Sequence, residues 1–174
     1  MAILTAVKVS QPVRPENESS TVTEPVMTTI RSFMTDDHRH CDDLFAEAEQ
    51  AVAKKDMVLA RTAFGRFQSA MLAHFDGEEK TLFTAFEAKT GMSTGPTRMM
   101  RMEHEQIRGL MNDAVDALKA GKSEDYLGLA DTLVIMMQQH NMKEENILYP
   151  MCDQHLSDEL PTVLERLEAE LCEQ

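Results

Sequence analysis

Six side chains in this chain have the types and spacing of a metal site. His74 and Glu78 lie four positions apart in HFDGEEKTLF, and His140 and Glu144 lie four apart in HNMKEENILY. Both stretches read His, three residues, Glu-Glu, two residues, Leu, aromatic. On an α-helix, positions i and i+4 face nearly the same way, roughly 6 Å apart along the axis, so each pair can reach one point. The pairs also fall on apolar stripes. Phe67, Met71, His74, Glu78 and Leu82 follow one line, and Leu133, Met137, His140, Glu144 and Leu148 another. A lone buried histidine is usually just a hydrogen-bonded core residue. Two buried carboxylates are different, because a charge in a core must be paired or bound to metal.

The doubling extends further. At the same offset of 66, His38 corresponds to His104, Asp37 to Glu103, Leu44 to Leu110, Ala48 to Ala114, and Phe83 to Tyr149. The histidines of each half are 36 positions apart. Each half is thus a helix with one His followed by a helix with His-x-x-x-Glu. Two such hairpins, packed with approximate twofold symmetry, bring His38, His74, His104 and His140 to one level beside Glu78 and Glu144. His38 is preferred to His40 on two grounds. Two residues turn a helix by about 200°, which leaves His38 on the stripe with Met34, Cys41 and Phe45 and turns His40 to the polar side. The repeat also pairs His40 with Gln106. His155 reads as an exposed or capping residue.

The neighbours of these positions are ambiguous. Glu79 and Glu145, one step off the ligand face, read as hydrogen-bond partners of the ligands or, at least as well, as solvated charges. Asp37 and Glu103 carry the same two readings. Cys41, one turn from His38, reads as a small core residue more readily than as an oxidant sensor. The methionines read as core filling.

Positioning these residues requires helices, and the composition supplies them. The chain of 174 residues has seven glycines and six prolines, 43% apolar and 27% charged residues, as expected of one soluble domain. Residues 1–24 are polar and aperiodic and read as an irregular arm. Apolar periodicity then predicts one helix from about Pro25, a second from about Met57 to Lys89 capped by Asp56, and a third from Pro96 to near Gly121. A fourth begins after Ser123 and runs to Pro150 through Leu127, Ala130 and Leu133, and Gly91 suits the end of the second. Four long helices with short loops fold most simply as an antiparallel bundle, spanning residues 25–156. Val163, Leu164, Leu167 and Leu171 predict a short C-terminal helix within residues 157–174.

The net charge of −13 argues against nucleic acid or an anionic membrane surface as partner. No apolar run reaches transmembrane length. The opening MAILTAVKVSQPV is a poor secretory signal, and the three cysteines, Cys41, Cys152 and Cys172, lack disulfide or metal spacing. A cytoplasmic location is the expectation.

DDHRHCDDLF, HFDGEEKTLF, RMEHEQIRGLM and HNMKEENILYP together resemble the hemerythrin-like HHE cation-binding proteins. The resemblance covers roughly residues 26–156 and implies a non-haem di-iron site inside a four-helix bundle. By that resemblance the ligands are His38, His74, Glu78, His104, His140 and Glu144, with both glutamates bridging and an oxo or hydroxo group between the irons. The chain departs from the oxygen-carrying hemerythrins in having Met100 where they carry a fifth histidine. It also has Glu144 four residues after its histidine, where they have Asp at five. The four-His, two-Glu set is similar instead to the HHE domain of iron-sulfur cluster repair proteins, although residues 1–24 lack the paired cysteines that normally precede it.

Carboxylates and imidazoles without thiolate favour iron or manganese over zinc or copper. Two octahedral ions offer about twelve positions. The six residues and a bridging oxygen leave roughly one open at each ion. The expectation is a protein that binds dioxygen, nitric oxide or peroxide for sensing or protection. The alternatives are an enzyme reducing nitric oxide or peroxide with electrons from a partner protein, or a protein that supplies iron.

Overall fold

A computed structural model of the chain describes residues 27–172. The arm expected over residues 1–24 and the side chain of Cys172 lie outside the described residues. Seven α-helices account for most of the rest: α1 (Ile30–Ala53), α2 (Met57–Asp76), α3 (Phe83–Thr90), α4 (Pro96–Lys119), α5 (Ser123–Lys143), α6 (Tyr149–His155) and α7 (Leu160–Cys172). A π-helical turn over Gly77–Leu82 joins α2 to α3, and another over Glu144–Leu148 joins α5 to α6. The result is four long rods and a shorter helix, an all-α antiparallel bundle.

The rods begin and end where side-chain chemistry dictates. Thr29 and Ser32 form a reciprocal capping box at the start of α1. The next two amides of α1, those of Ile30 and Arg31, donate to the Asp153 carboxylate of α6. Asp56 caps α2 by accepting from the Leu59 amide at 3.0 Å. Gly91, at φ +73°, ends α3 in a left-handed conformation open to glycine, and Pro96 opens α4.

The six polar residues form a layer between two apolar cores. One core packs Leu44, Phe45, Phe64, Phe67, Ile107, Met111, Tyr126 and Leu133. The other packs Ile30, Met34, Leu82, Phe83, Phe86, Met100, Leu148 and Tyr149 with Val163 and Leu167 of α7. Met34 and Cys41 fall on opposite sides of His38, as Met100 and Ile107 do of His104. On α5 the stripe begins with buried Tyr126, while Leu127 is 46% exposed. That corrects the expected Leu127: positions 126, 130, 133, 137 and 140 keep the spacing of a single face, and 127 lies one step outside it.

The π turns also differ from expectation. The second and fourth rods read from the sequence as uninterrupted α-helix. In the structure the Phe83 amide donates to the Glu78 carbonyl and the Tyr149 amide to the Glu144 carbonyl, five residues back in each case. Each turn takes in one extra residue, so the inward stripe slips forward by one. Phe86 is buried where an unbroken helix would have turned Ala85 inward.

Candidate metal centre

All six predicted residues are brought together and withdrawn from water, with His38 the most accessible at 3%. His38 Nε2 lies 3.1 Å from His74 Nε2 and 3.3 Å from Glu144 Oε2. His104 Nε2 lies 3.2 Å from Glu78 Oε2, and His140 Nε2 3.2 Å from Glu144 Oε1. His74 Nε2 approaches Glu78 Oε2 at 3.4 Å. The donor atoms make two groups, His38, His74 and Glu144, and Glu78, His104, His140 and Glu144, each with its atoms within 4.8 Å of one another. Glu144 belongs to both, one oxygen to each.

Four of these atoms, Glu78 Oε2, His104 Nε2, His140 Nε2 and Glu144 Oε1, are buried without a hydrogen-bond partner. Orphaned buried polar atoms are uncommon in native proteins, and each calls for a reason. Four in one layer, all Lewis bases, fit a cation. Imidazole and carboxylate donors without thiolate fit iron.

The ambiguous acidic neighbours prove to be partners of the histidines. Nδ1 of His74 is 2.7 Å from Asp37, that of His140 3.0 Å from Glu103, that of His104 2.7 Å from Glu79, and that of His38 2.9 Å from Glu145. An ionised carboxylate only accepts, so each Nδ1 carries a hydrogen and each Nε2 faces the interior, where a cation that displaces its proton finds a lone pair. The pattern follows the repeat. Asp37 and Glu103 hold the histidine of the same hairpin, whereas Glu79 and Glu145 reach across and tie the two hairpins together.

Electrostatics in the metal-free chain follow from the same contacts. Burial works against a charged His74, but Glu78 and Asp37 outweigh it and push its pKa up to about 10. Burial is outweighed likewise at His104, by Glu144, Glu78 and Glu79, and its pKa reaches about 11. Burial and Glu78 both resist the charge on Glu144, yet His140, His104 and His38 hold it well below the usual carboxylate range. Protons on imidazoles thus balance the buried carboxylates, a role that a bound cation takes over.

One member of the layer was not anticipated. Tyr149, fully buried, places its hydroxyl 2.9 Å from Glu78 Oε1, 3.1 Å from Glu144 Oε2 and 3.2 Å from His38 Nε2. An unbroken α-helix sets position 149 about 140° away from 144, and only the π turn returns it. The available signal was the repeat, which pairs Tyr149 with Phe83.

The remaining residues sort simply. His40 and His155 are exposed. Cys41 is buried in the first core, where burial, with Asp37 and Asp42, raises its thiol pKa far above the ordinary value, so it is a packing residue. Met100 is buried in the second core. No helix among the described residues is long and apolar enough to cross a membrane.

Comparison with known proteins agrees with this geometry. Neither a curated protein nor a solved structure matches the chain. The family model of the hemerythrin HHE cation binding domain matches residues 29–152, from the cap of α1 into α6, and so takes in all six of the converging residues. The chain belongs to the hemerythrin HHE cation-binding domain family.

Proposed function

We propose that the chain holds two iron ions between the hairpins, one at His38 and His74 and one at His104 and His140, with Glu78 and Glu144 shared, and that it binds dioxygen, nitric oxide or peroxide there. The observation that carries the reading is the pair of donor groups joined through Glu144, with four buried atoms lacking any other partner. Imidazole and carboxylate ligation also suits manganese, which is the alternative metal. When bound, a reduced iron pair supplies sites for small diatomic ligands or peroxide and electrons for their reduction.

The chain's own residues supply the rest. The four outer carboxylates fix each imidazole by its Nδ1 hydrogen. The apolar cores above and below exclude bulk water, which strengthens every charge interaction in the layer. No flavin, haem or rubredoxin-type motif occurs in the sequence, so sustained turnover would need electrons from a partner protein. Stopped-flow mixing of the reduced, iron-loaded chain with each ligand tests the reading. A stable adduct with one of the three is the expected result for a sensor or protective binder, and multiple turnover with an added electron donor would make it an enzyme. No optical change with any of the three would refute small-ligand binding.

A further inference from the structure

We infer that Tyr149 is a seventh protein ligand, to the metal at His38 and His74, and that Phe83 leaves the corresponding corner beside His104 and His140 free for an added ligand. The inference rests on the two-iron reading above. Adjacent donors around an octahedral ion with bonds of about 2.1 Å lie about 3 Å apart. The Tyr149 hydroxyl stands at 3.2, 3.1 and 2.9 Å from His38 Nε2, Glu144 Oε2 and Glu78 Oε1. His38 Nε2 stands at comparable distances from His74 Nε2 and Glu144 Oε2, 3.1 and 3.3 Å. The phenol oxygen therefore takes one corner of the polyhedron those atoms outline.

Hydrogen bonding alone does not account for the position. A phenol has one proton to donate. Glu78 and Glu144 are acceptors, and so is His38 Nε2 once Nδ1 gives its hydrogen to Glu145. Three acceptors around one donor is a poor hydrogen-bond site and a good cation site. On ligation the phenol proton leaves to solvent and the oxygen binds as phenolate, as ligands generally deprotonate on metal binding.

The other hairpin has the same backbone with a different side chain. Phe83 follows its own π turn, and its amide donates to the Glu78 carbonyl. Its ring lies 5.8 Å from His104 at an interplanar angle of 18° and carries no donor. Where one metal gains an oxygen from the chain, the other meets a hydrocarbon face.

The test uses the whole chain, loaded with ferric iron, and reads iron content separately from ligation. The chain has two tyrosines, Tyr126 and Tyr149, and Tyr126 belongs to the first core. A phenolate bound to ferric iron gives a visible charge-transfer band and resonance-enhanced tyrosinate vibrations. Both are expected in the natural chain and in Tyr126→Phe, and both should vanish in Tyr149→Phe while two irons remain. Azide, the probe for open positions, should saturate at one per natural chain and at two in Tyr149→Phe. In Tyr126→Phe, where Tyr149 is the sole tyrosine, ring-deuterated tyrosine should shift the vibrations, which decides the matter even if Tyr149→Phe fails to fold. A natural chain with two irons and no phenolate signature, or a signature that survives Tyr149→Phe, overturns the inference alone. A chain that takes up no iron overturns the two-iron reading and this inference with it.

Discussion

The two hairpins repeat their histidines and carboxylates at one offset but surround them differently. Around His104 the setting is aromatic and charge-balanced. Phe75 stacks on its ring at 4.0 Å and Phe83 at 5.8 Å, Arg108 lies over Phe75, and Arg101 lies over Phe83. Each outer carboxylate there has a cation, Arg108 for Glu79 and Lys143 for Glu103. At the corresponding places in the other half, Phe75 gives way to Asn141, Phe83 to Tyr149, Arg108 to Asp42 and Lys143 to Gly77. Among the described residues, neither Asp37 nor Glu145 has a Lys or Arg within ion-pair distance. Gly77 instead faces α7, with Leu167 Cδ2 3.5 Å from where a β-carbon would stand.

The atoms that face the metal layer are duplicated, and the atoms that set its local field are not. A more negative surrounding favours the more highly charged state of a nearby ion. The His38 side should therefore hold its iron in the ferric state more firmly, leaving the His104 side as the more easily reduced.

Glu144→Gln tests the shared element and carries the largest expected effect. Because Glu144 offers an oxygen to each of the two donor groups, the variant should lose both irons by metal analysis. Its helix content should stay near normal, since removing one carboxylate relieves its repulsion with Glu78. Two irons retained would take Glu144 out of the shared role.

The outer carboxylates sharpen the contrast. Glu145→Gln should weaken the iron at His38, and Glu79→Gln the iron at His104, each by about 10- to 100-fold in competition with a chelator. Equal weakening of both irons by either variant would contradict separate control of the halves. His40→Ala, one step from the same cluster, should leave metal content unchanged and stability within about 0.5 kcal/mol.

A smaller effect separates the metal-free chain from the loaded one. His74 and His104 have folded pKa values of about 10 and 11, raised above the ordinary 6.5. Their contribution to stability is fully present below 6.5 and is lost as the pH rises through the folded values. Glu144 is depressed below 4.5, so its contribution is present above that value and lost as the pH falls. The metal-free chain should thus be most stable between about pH 4.5 and 6.5 and weaken in alkali. The loaded chain should instead lose metal in acid, where imidazoles are protonated. Thermal melts across pH with and without iron check the crossing, and parallel profiles would contradict it.

The helical frame and the converging residues were legible because both follow periodicity. The ligand stripes, the Asp56 cap and the Gly91 end are all local patterns. The roles of Asp37, Glu79, Glu103 and Glu145 were not settled, since a carboxylate one step off a stripe looks alike whether it meets water or an imidazole on another rod. Tyr149 was missed for a different reason. A backbone that gains one residue per turn leaves the hydrophobic pattern nearly unchanged and yet re-aims every side chain after it, so α-periodicity placed position 149 on the wrong side.

The central claim, two irons in unlike halves, is tested most directly by Mössbauer spectroscopy of the chain loaded with iron-57. Two quadrupole doublets of equal area and distinct parameters are predicted, one from the iron at His38 and His74 and one from the iron at His104 and His140. A single doublet from one iron per chain, or one doublet shared by two identical irons, would contradict the account.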